Sequence, residues 1–276
     1  MIGATLIFLF LVEVGAGTLL ALWLLRRHEL GHALRRLVVL VSGGVAAVAL
    51  PFGVQAFGSG PDLPGRLAQP PVAFSLALIT ACAAFVAFGP TRSAALPMAG
   101  ALAGFASLAA GAGALAAAEI PAAAEGATAA GNTILLSGYL LSAALLLGST
   151  LAAMLLGHWY LVDRKMPIEP LRLASGVLLF AVAARILFVA APAARFWSAQ
   201  AAASLEDPTA INLSIFWIQR ALFGLLGPLA LALMVRHTVR LRATQSATGL
   251  LYIVLIFVIA GEMISHYLLL RTGMLL

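Results

Sequence analysis

The sequence predicts an all-α integral membrane protein, with about eight transmembrane helices packed as one bundle and both termini on the outer face. Three observations carry this expectation. The chain is 63% hydrophobic and 9% charged, with a mean hydropathy of +1.07, whereas a soluble domain is about 45–50% apolar and about 25% charged. Its apolar residues fall in runs of the length a bilayer demands, about 20 residues per helical span. Its basic residues sort into alternate connections, as they do in proteins threaded through a membrane.

Eight runs meet the length requirement: 2–25, 37–57, 71–89, 97–117, 134–158, 171–192, 213–235 and 249–271. Strands crossing lipid would alternate apolar and polar residues, and these runs do not. Backbone polar groups cannot go unpaired in hydrocarbon, so each run reads as a helix. The runs fill most of the chain and leave no room for a separate soluble domain, so residues 1–276 read as a single transmembrane domain. No basic residue precedes the first run, and Arg26 and Arg27 follow it. A secretory signal has its positive charge in front, so this run reads as a retained helix. The fourth run, AGALAGFASLAAGAGALAAA, is the most weakly marked, and its Gly100 and Gly104 are spaced to form a small-residue packing face. Pro51, Pro192 and Pro228 are candidates for breaking helices near their ends.

Connections after the odd-numbered runs hold Arg26, Arg27, Arg35, Arg36, Arg92, Arg164, Lys165, Arg172, Arg236, Arg240 and Arg242. Those after the even-numbered runs hold only Arg66 and Arg195, with Asp62, Glu119, Glu125, Glu206 and Asp207. Eleven basic residues against two place the first set inside, and hence both termini outside. The longest connections, Gly58–Pro70, Glu119–Thr133 and Ala193–Asn212, are on the outer face, where they would cover a site, dock a partner or simply connect helices.

Composition also excludes several functions. The single cysteine, Cys82, rules out a disulfide framework and any zinc or iron–sulfur centre held by cysteines of this chain alone. The net charge of +6 is no nucleic-acid signal, because the arginines cluster at helix ends. There is no glycine-rich phosphate loop, no HExxH and no GxSxG elbow.

The informative residues are the polar ones inside apolar runs. Glu13 lies near the centre of the first run, Gln55 at the outer end of the second, Arg185 past the middle of the sixth, and Gln219 and Arg220 in the outer third of the seventh. Glu262 is near the middle of the eighth, with His266 four residues on and so on the same helical face. All of these fall between mid-membrane and the outer surface. A charge at the bilayer centre costs about 2.5–3.5 kcal/mol on insertion scales, so the four full charges must face inward. One reading is two Glu–Arg ion pairs that fix helix register. The other is a polar pocket walled by Phe188, Trp217 and Phe223 and suited to a quinone. Quinone carbonyls need hydrogen-bond donors, and their two-electron chemistry needs proton carriers. A histidine can serve as both, and a carboxylate at membrane depth can relay the proton.

On this reading Glu262, His266 and Glu13 carry the chemistry, while Arg185, Arg220, Gln219, Gln55 and Trp217 hold the quinone. No metal ligand set is expected. A second group, Thr150, Met154 and His158, shares a face of the fifth run near the inner interface, beside Trp159 and Tyr160. His158 reads as an interfacial histidine bonded to a neighbouring loop, with a haem ligand or the inner end of a proton path as alternatives. Because His158 and His266 lie at very different depths, they cannot share one haem, and no haem is expected in this chain.

The stretches FLVEVGAGTLLALWLL and VIAGEMISHYLLLRTGM, in a chain of eight spans with both termini outside, resemble the membrane-anchor subunit of dimethyl sulfoxide reductase. That subunit belongs to the wider polysulfide-reductase and NrfD-like class of quinol-interacting subunits. Gly261, Glu262, His266 and Tyr267 match the family's closing helix. Where members often have an arginine after the Gly-Glu pair, this chain has Ser265 and His266. The resemblance implies a bacterial inner-membrane anchor, serving anaerobic respiration, for an iron–sulfur subunit and a molybdopterin-type catalytic subunit. It also implies exchange of electrons with quinone or menaquinone near the surface where the iron–sulfur partner docks. A proton-coupled small-solute transporter and a non-catalytic scaffold are the competing readings; the scaffold expects buried Glu–Arg contacts and no cavity.

Overall fold

A computed structural model describes residues 2–28, 30–59, 62–88, 95–117, 129–163, 165–202, 215–272 and 275. The described residues form helices and no strand. Eight helices are long and apolar enough to cross a membrane. They are α1 (Ile2–Leu24), α2 (His32–Phe57), α3 (Pro70–Phe88), α4 (Ala95–Ala117), α5 (Ala129–Val162), α6 (Glu169–Ala202), α7 (Ile215–Arg240) and α8 (Thr244–Thr272). A short helical segment, Leu63–Leu67, sits between α2 and α3.

Several helices outrun the apolar runs that announce them. α5 extends from the expected 134–158 to Ala129–Val162, and α6 from 171–192 to Glu169–Ala202. Helices continue into the headgroup layer, where polar residues are tolerated, so apolar counting stops short of the true ends. Two of the three candidate prolines do not end a helix. α2 runs on through Pro51 and α6 runs on past residue 192, while Pro228 opens the regular α-helical part of α7. Ahead of it, Arg220–Leu226 is wound as a π-helix.

α1 and α5 form the centre of the bundle. α1 packs against α2, α4, α5 and α8, and α5 packs in turn against α4, α6 and α8. Composition explains this placement: Gly17 of α1 meets Ala144 and Gly148 of α5 so closely that a Cβ on either glycine would overlap the partner's backbone. Small residues permit such contact in a bundle whose helices gain little from burying apolar surface away from lipid. The Gly100–Gly104 face behaves as expected. A Cβ on Gly100 would press on Leu19, and one on Gly104 on Ala16 and Leu78, so α4 seats on α1 and α3 through this face. Several buried hydroxyls are satisfied within their own helices: Thr18 donates to Val14 O, Ser42 to Val38 O and Thr150 to Leu146 O.

The ends of the bundle differ in charge. At one end Arg36 Nη2 of α2 donates to Val86 O of α3 at 3.0 Å. At the same end of the topology, Tyr160 donates to Pro167 O across the α5–α6 turn. A cleft of about 790 Å³ there joins that turn to the start of α8, lined in part by Lys165, Glu169 and Arg242. Among the loop charges used above, Arg92, Arg164, Glu119, Glu125, Glu206 and Asp207 lie outside the described residues. So do residues 119–128 of the second long connection and 203–212 of the third. At the opposite end, Leu275 is buried in the same apolar cluster as Leu6 and Leu9.

Candidate functional site

Polar groups from five helices meet inside the bundle. α8 contributes three of them, because Glu262, Ser265 and His266 share the face turned to α1, α5, α6 and α7. Arg185 of α6 grips Glu262 as a fork, with Nε 3.1 Å from Oε1 and Nη2 2.6 Å from Oε2. Arg220 of α7 adds a second cation, its Nη2 3.0 Å from Oε1. One carboxylate therefore takes two guanidinium groups through charge-assisted bonds, the strong class of hydrogen bond.

The remaining donors of Arg185 are also used. Nη1 donates to Tyr139 O and to Ser142 Oγ, both at 2.8 Å, and Nη2 to Ser265 Oγ at 3.3 Å. The guanidinium lies 4.0 Å from the centre of the Tyr139 ring, and Tyr139 shares a short hydrogen bond with Ser265. α5 thus holds one side of the cluster through Tyr139 and Ser142.

Glu13 takes no arginine in this arrangement. Its Oε1 faces His266 Nε2 at 3.0 Å, while His266 Nδ1 lies 2.8 Å from the carbonyl oxygen of Glu262. A carbonyl only accepts, so Nδ1 must carry a proton. Two arrangements then satisfy Nε2: imidazolium donating to a carboxylate, or neutral imidazole accepting from a carboxylic acid. Either way the pair holds one proton between Glu13 and His266. The second oxygen of Glu13, Oε2, is buried and has no hydrogen-bond partner among the described residues.

Glu13, Arg185, Glu262, Ser265 and His266 are each 0% exposed, and Arg220 is 1% exposed. These six side chains therefore pack against one another and are closed to water.

The cluster unites Glu13, Arg185, Arg220, Glu262 and His266, five of the eight residues expected from the sequence. The other three are elsewhere. Gln55 and Gln219 are exposed on the outer surfaces of α2 and α7, and Trp217 is half-buried against Leu268 with Phe216 and Ile264. The expected aromatic wall is also dispersed: Phe223 is exposed and edge-on to Phe257, and Phe188 packs over Gly138. Ion pairing differs from the expected two Glu–Arg pairs, since both arginines serve Glu262 and histidine serves Glu13. Sequence reasoning missed Tyr139, Ser142 and Ser265, whose hydroxyls are common in membrane helices and give no signal until a neighbouring charge is placed. His158 is exposed, its Nδ1 3.0 Å from the Tyr252 hydroxyl, so its partner is α8 rather than a loop.

No protein-family model matches the chain, and no match was found to a curated protein or to a solved structure.

Proposed function

We propose that this chain is the membrane-anchor subunit of a multi-subunit oxidoreductase. In this reading it exchanges electrons with quinone or menaquinone, and an iron–sulfur partner receives or supplies them. A molybdopterin-type subunit completes the complex. The charge bias of the connections supports a position for the cluster in the outer half of the membrane, and the likeness of α1 and α8 to quinol-interacting anchors supports a bacterial inner membrane and supplies the partner class.

The observation that carries the reading is the Glu13–His266 pair. A bundle built only for rigidity is well served by Arg185, Glu262 and Arg220, and these match what a scaffold should show. It has no use for a carboxylate whose second oxygen is left without a partner, because an unsatisfied buried acceptor costs about 1–3 kcal/mol. A redox or catalytic role is one that accounts for such a group. Quinone reduction takes up two protons with its two electrons and quinol oxidation releases two, and the pair supplies a carrier for one of them, held between two groups of tunable basicity. The backbone carbonyl of Glu262, one turn back in the same helix, takes His266 Nδ1 and so fixes which nitrogen faces Glu13.

A proton-coupled transporter is the second reading, and the closure of the site favours it. Fully buried ionisable groups must be exposed by a movement of helices before they exchange protons, and π-helical turns such as Arg220–Leu226 frequently mark functional sites.

Purification from the native membrane in mild detergent tests the choice. Co-purifying iron–sulfur and molybdenum subunits with extractable quinone support the anchor. A lone protein without quinone overturns it and moves the weight to transport.

A further inference from the structure

Arg172, Arg236 and Arg240 do not belong to the buried cluster. They lie at the basic end of the bundle, where α6 begins and α7 ends, and line a cleft of about 80 Å³ together with Ser175 and Val239. A water needs roughly 10–15 Å³ of such space, so the cleft has room for a tetrahedral oxyanion. From this arrangement we infer that the three arginines form a binding site for the phosphate group of an anionic membrane lipid.

Charge is the first support. No acidic residue lines the cleft, and no carboxylate among the described residues lies within ion-pair distance of any of the three guanidinium groups. Three like charges around so small a space repel one another, and a bound anion offsets that repulsion. Arg172 closes the first turn of α6, the end of a helix where positive charge is disfavoured. Ser175 does not supply the missing acceptor, since its hydroxyl donates to Arg172 O at 2.8 Å.

Shape is the second. A Cβ on Gly176 would lie 2.9 Å from Arg236 Nη1, so the guanidinium of Arg236 reaches across from α7 and rests on α6 where α6 has no side chain. Arg236 is half-buried there, whereas an arginine that only met bulk headgroups would extend outward. The surroundings point to a lipid as the source of the phosphate. Leu233 lies on the same face of α7 as Arg236 and Arg240, one turn deeper, and is 51% exposed; Phe180 of α6 is 66% exposed. Apolar surface for an acyl chain therefore continues from the phosphate position. Basic pockets between transmembrane helices bind anionic headgroups in this manner.

The test is thermal stabilisation of the delipidated full-length protein in neutral detergent, titrated separately with phosphatidylglycerol, phosphatidylcholine and sodium phosphate. Phosphatidylglycerol should stabilise the wild type, and phosphatidylcholine should not. Each Arg→Gln change should weaken the phosphatidylglycerol response about fivefold, and the triple variant about a hundredfold. The triple Arg→Lys variant, which keeps the charge, should lose less than the glutamine triple and serves as the control for folding. Equal responses in wild type and the glutamine triple overturn the site. Full stabilisation by sodium phosphate alone overturns the assignment to lipid in favour of a free phosphate.

Discussion

Gly224 of α7 and Gly261 of α8 face each other so closely that a Cβ on Gly261 would collide with the Gly224 backbone, while a Cβ on Gly224 would collide with the Arg220 guanidinium, which lies against both. This contact decides where Arg220 points. The π-helical winding of Arg220–Leu226 and the missing side chains together open a channel through which Arg220 reaches Glu262, the residue after Gly261. Gly224→Ala or Gly261→Ala should therefore destabilise the protein by about 1–3 kcal/mol, the usual cost of overfilling a packed interior. Gly44 and Gly249 have nothing within contact distance of an added Cβ. Alanine there should be neutral or stabilising by up to about 1 kcal/mol, as expected of Gly→Ala in a helix. Thermal unfolding in detergent of the four variants checks the contrast.

Glu262 is the hub on which two arginines depend. Glu262→Gln removes its charge and leaves two buried cations facing an amide, which should cost about 3–5 kcal/mol. Replacing Arg185, Arg220 and Glu262 together by Met, Met and Leu should recover most of that loss, because no uncompensated charge remains. Folded yield and unfolding midpoint measure both. Failure of the triple variant to improve on Glu262→Gln would show that these residues do more than neutralise one another.

His158 and Tyr252 give the opposite expectation. Their hydrogen bond joins α5 to α8 on an exposed surface, away from the cluster. His158→Phe should change stability by less than about 0.5 kcal/mol, as surface substitutions do, and should leave turnover of the assembled complex unaltered. A turnover defect would point to a proton path opening at this surface.

The eight helices were legible because lipid imposes a length and an apolar composition on anything that crosses it. Five cluster residues were legible for a related reason: an ionisable group in an apolar run must find a partner inside the bundle. Which partner it finds is set by rotation about each helix axis, and depth along the sequence does not report that. Gln219 makes the point, since it precedes Arg220 by one residue and so projects about a quarter-turn away, onto the exposed face. Glu13 likewise meets histidine rather than arginine because Arg185 and Arg220, from neighbouring helices, both converge on Glu262. The π-helical turn that lets Arg220 do so leaves no recognisable pattern in RALFGLL.

Glu13 separates stability from function. Glu13→Gln keeps the size of the side chain and its contact with His266: the amide nitrogen can donate to Nε2 of the neutral imidazole, while Nδ1 still donates to the Glu262 carbonyl. A neutral hydrogen bond then stands in place of the shared-proton contact, so stability should change by only about 1–2 kcal/mol. The exchangeable proton, however, is gone, because an amide does not take up or release one in this range of basicity. Loss of a positioned proton carrier typically slows a reaction about 10²–10⁴-fold, and quinol-dependent turnover of the assembled complex should fall by that order. His266→Gln should do the same by removing the other half of the pair. The unfolding midpoint and turnover, read on the same preparation, decide the matter. A stable, assembled Glu13→Gln complex with wild-type turnover would leave the pair a structural contact and remove the main support for quinone chemistry at this site.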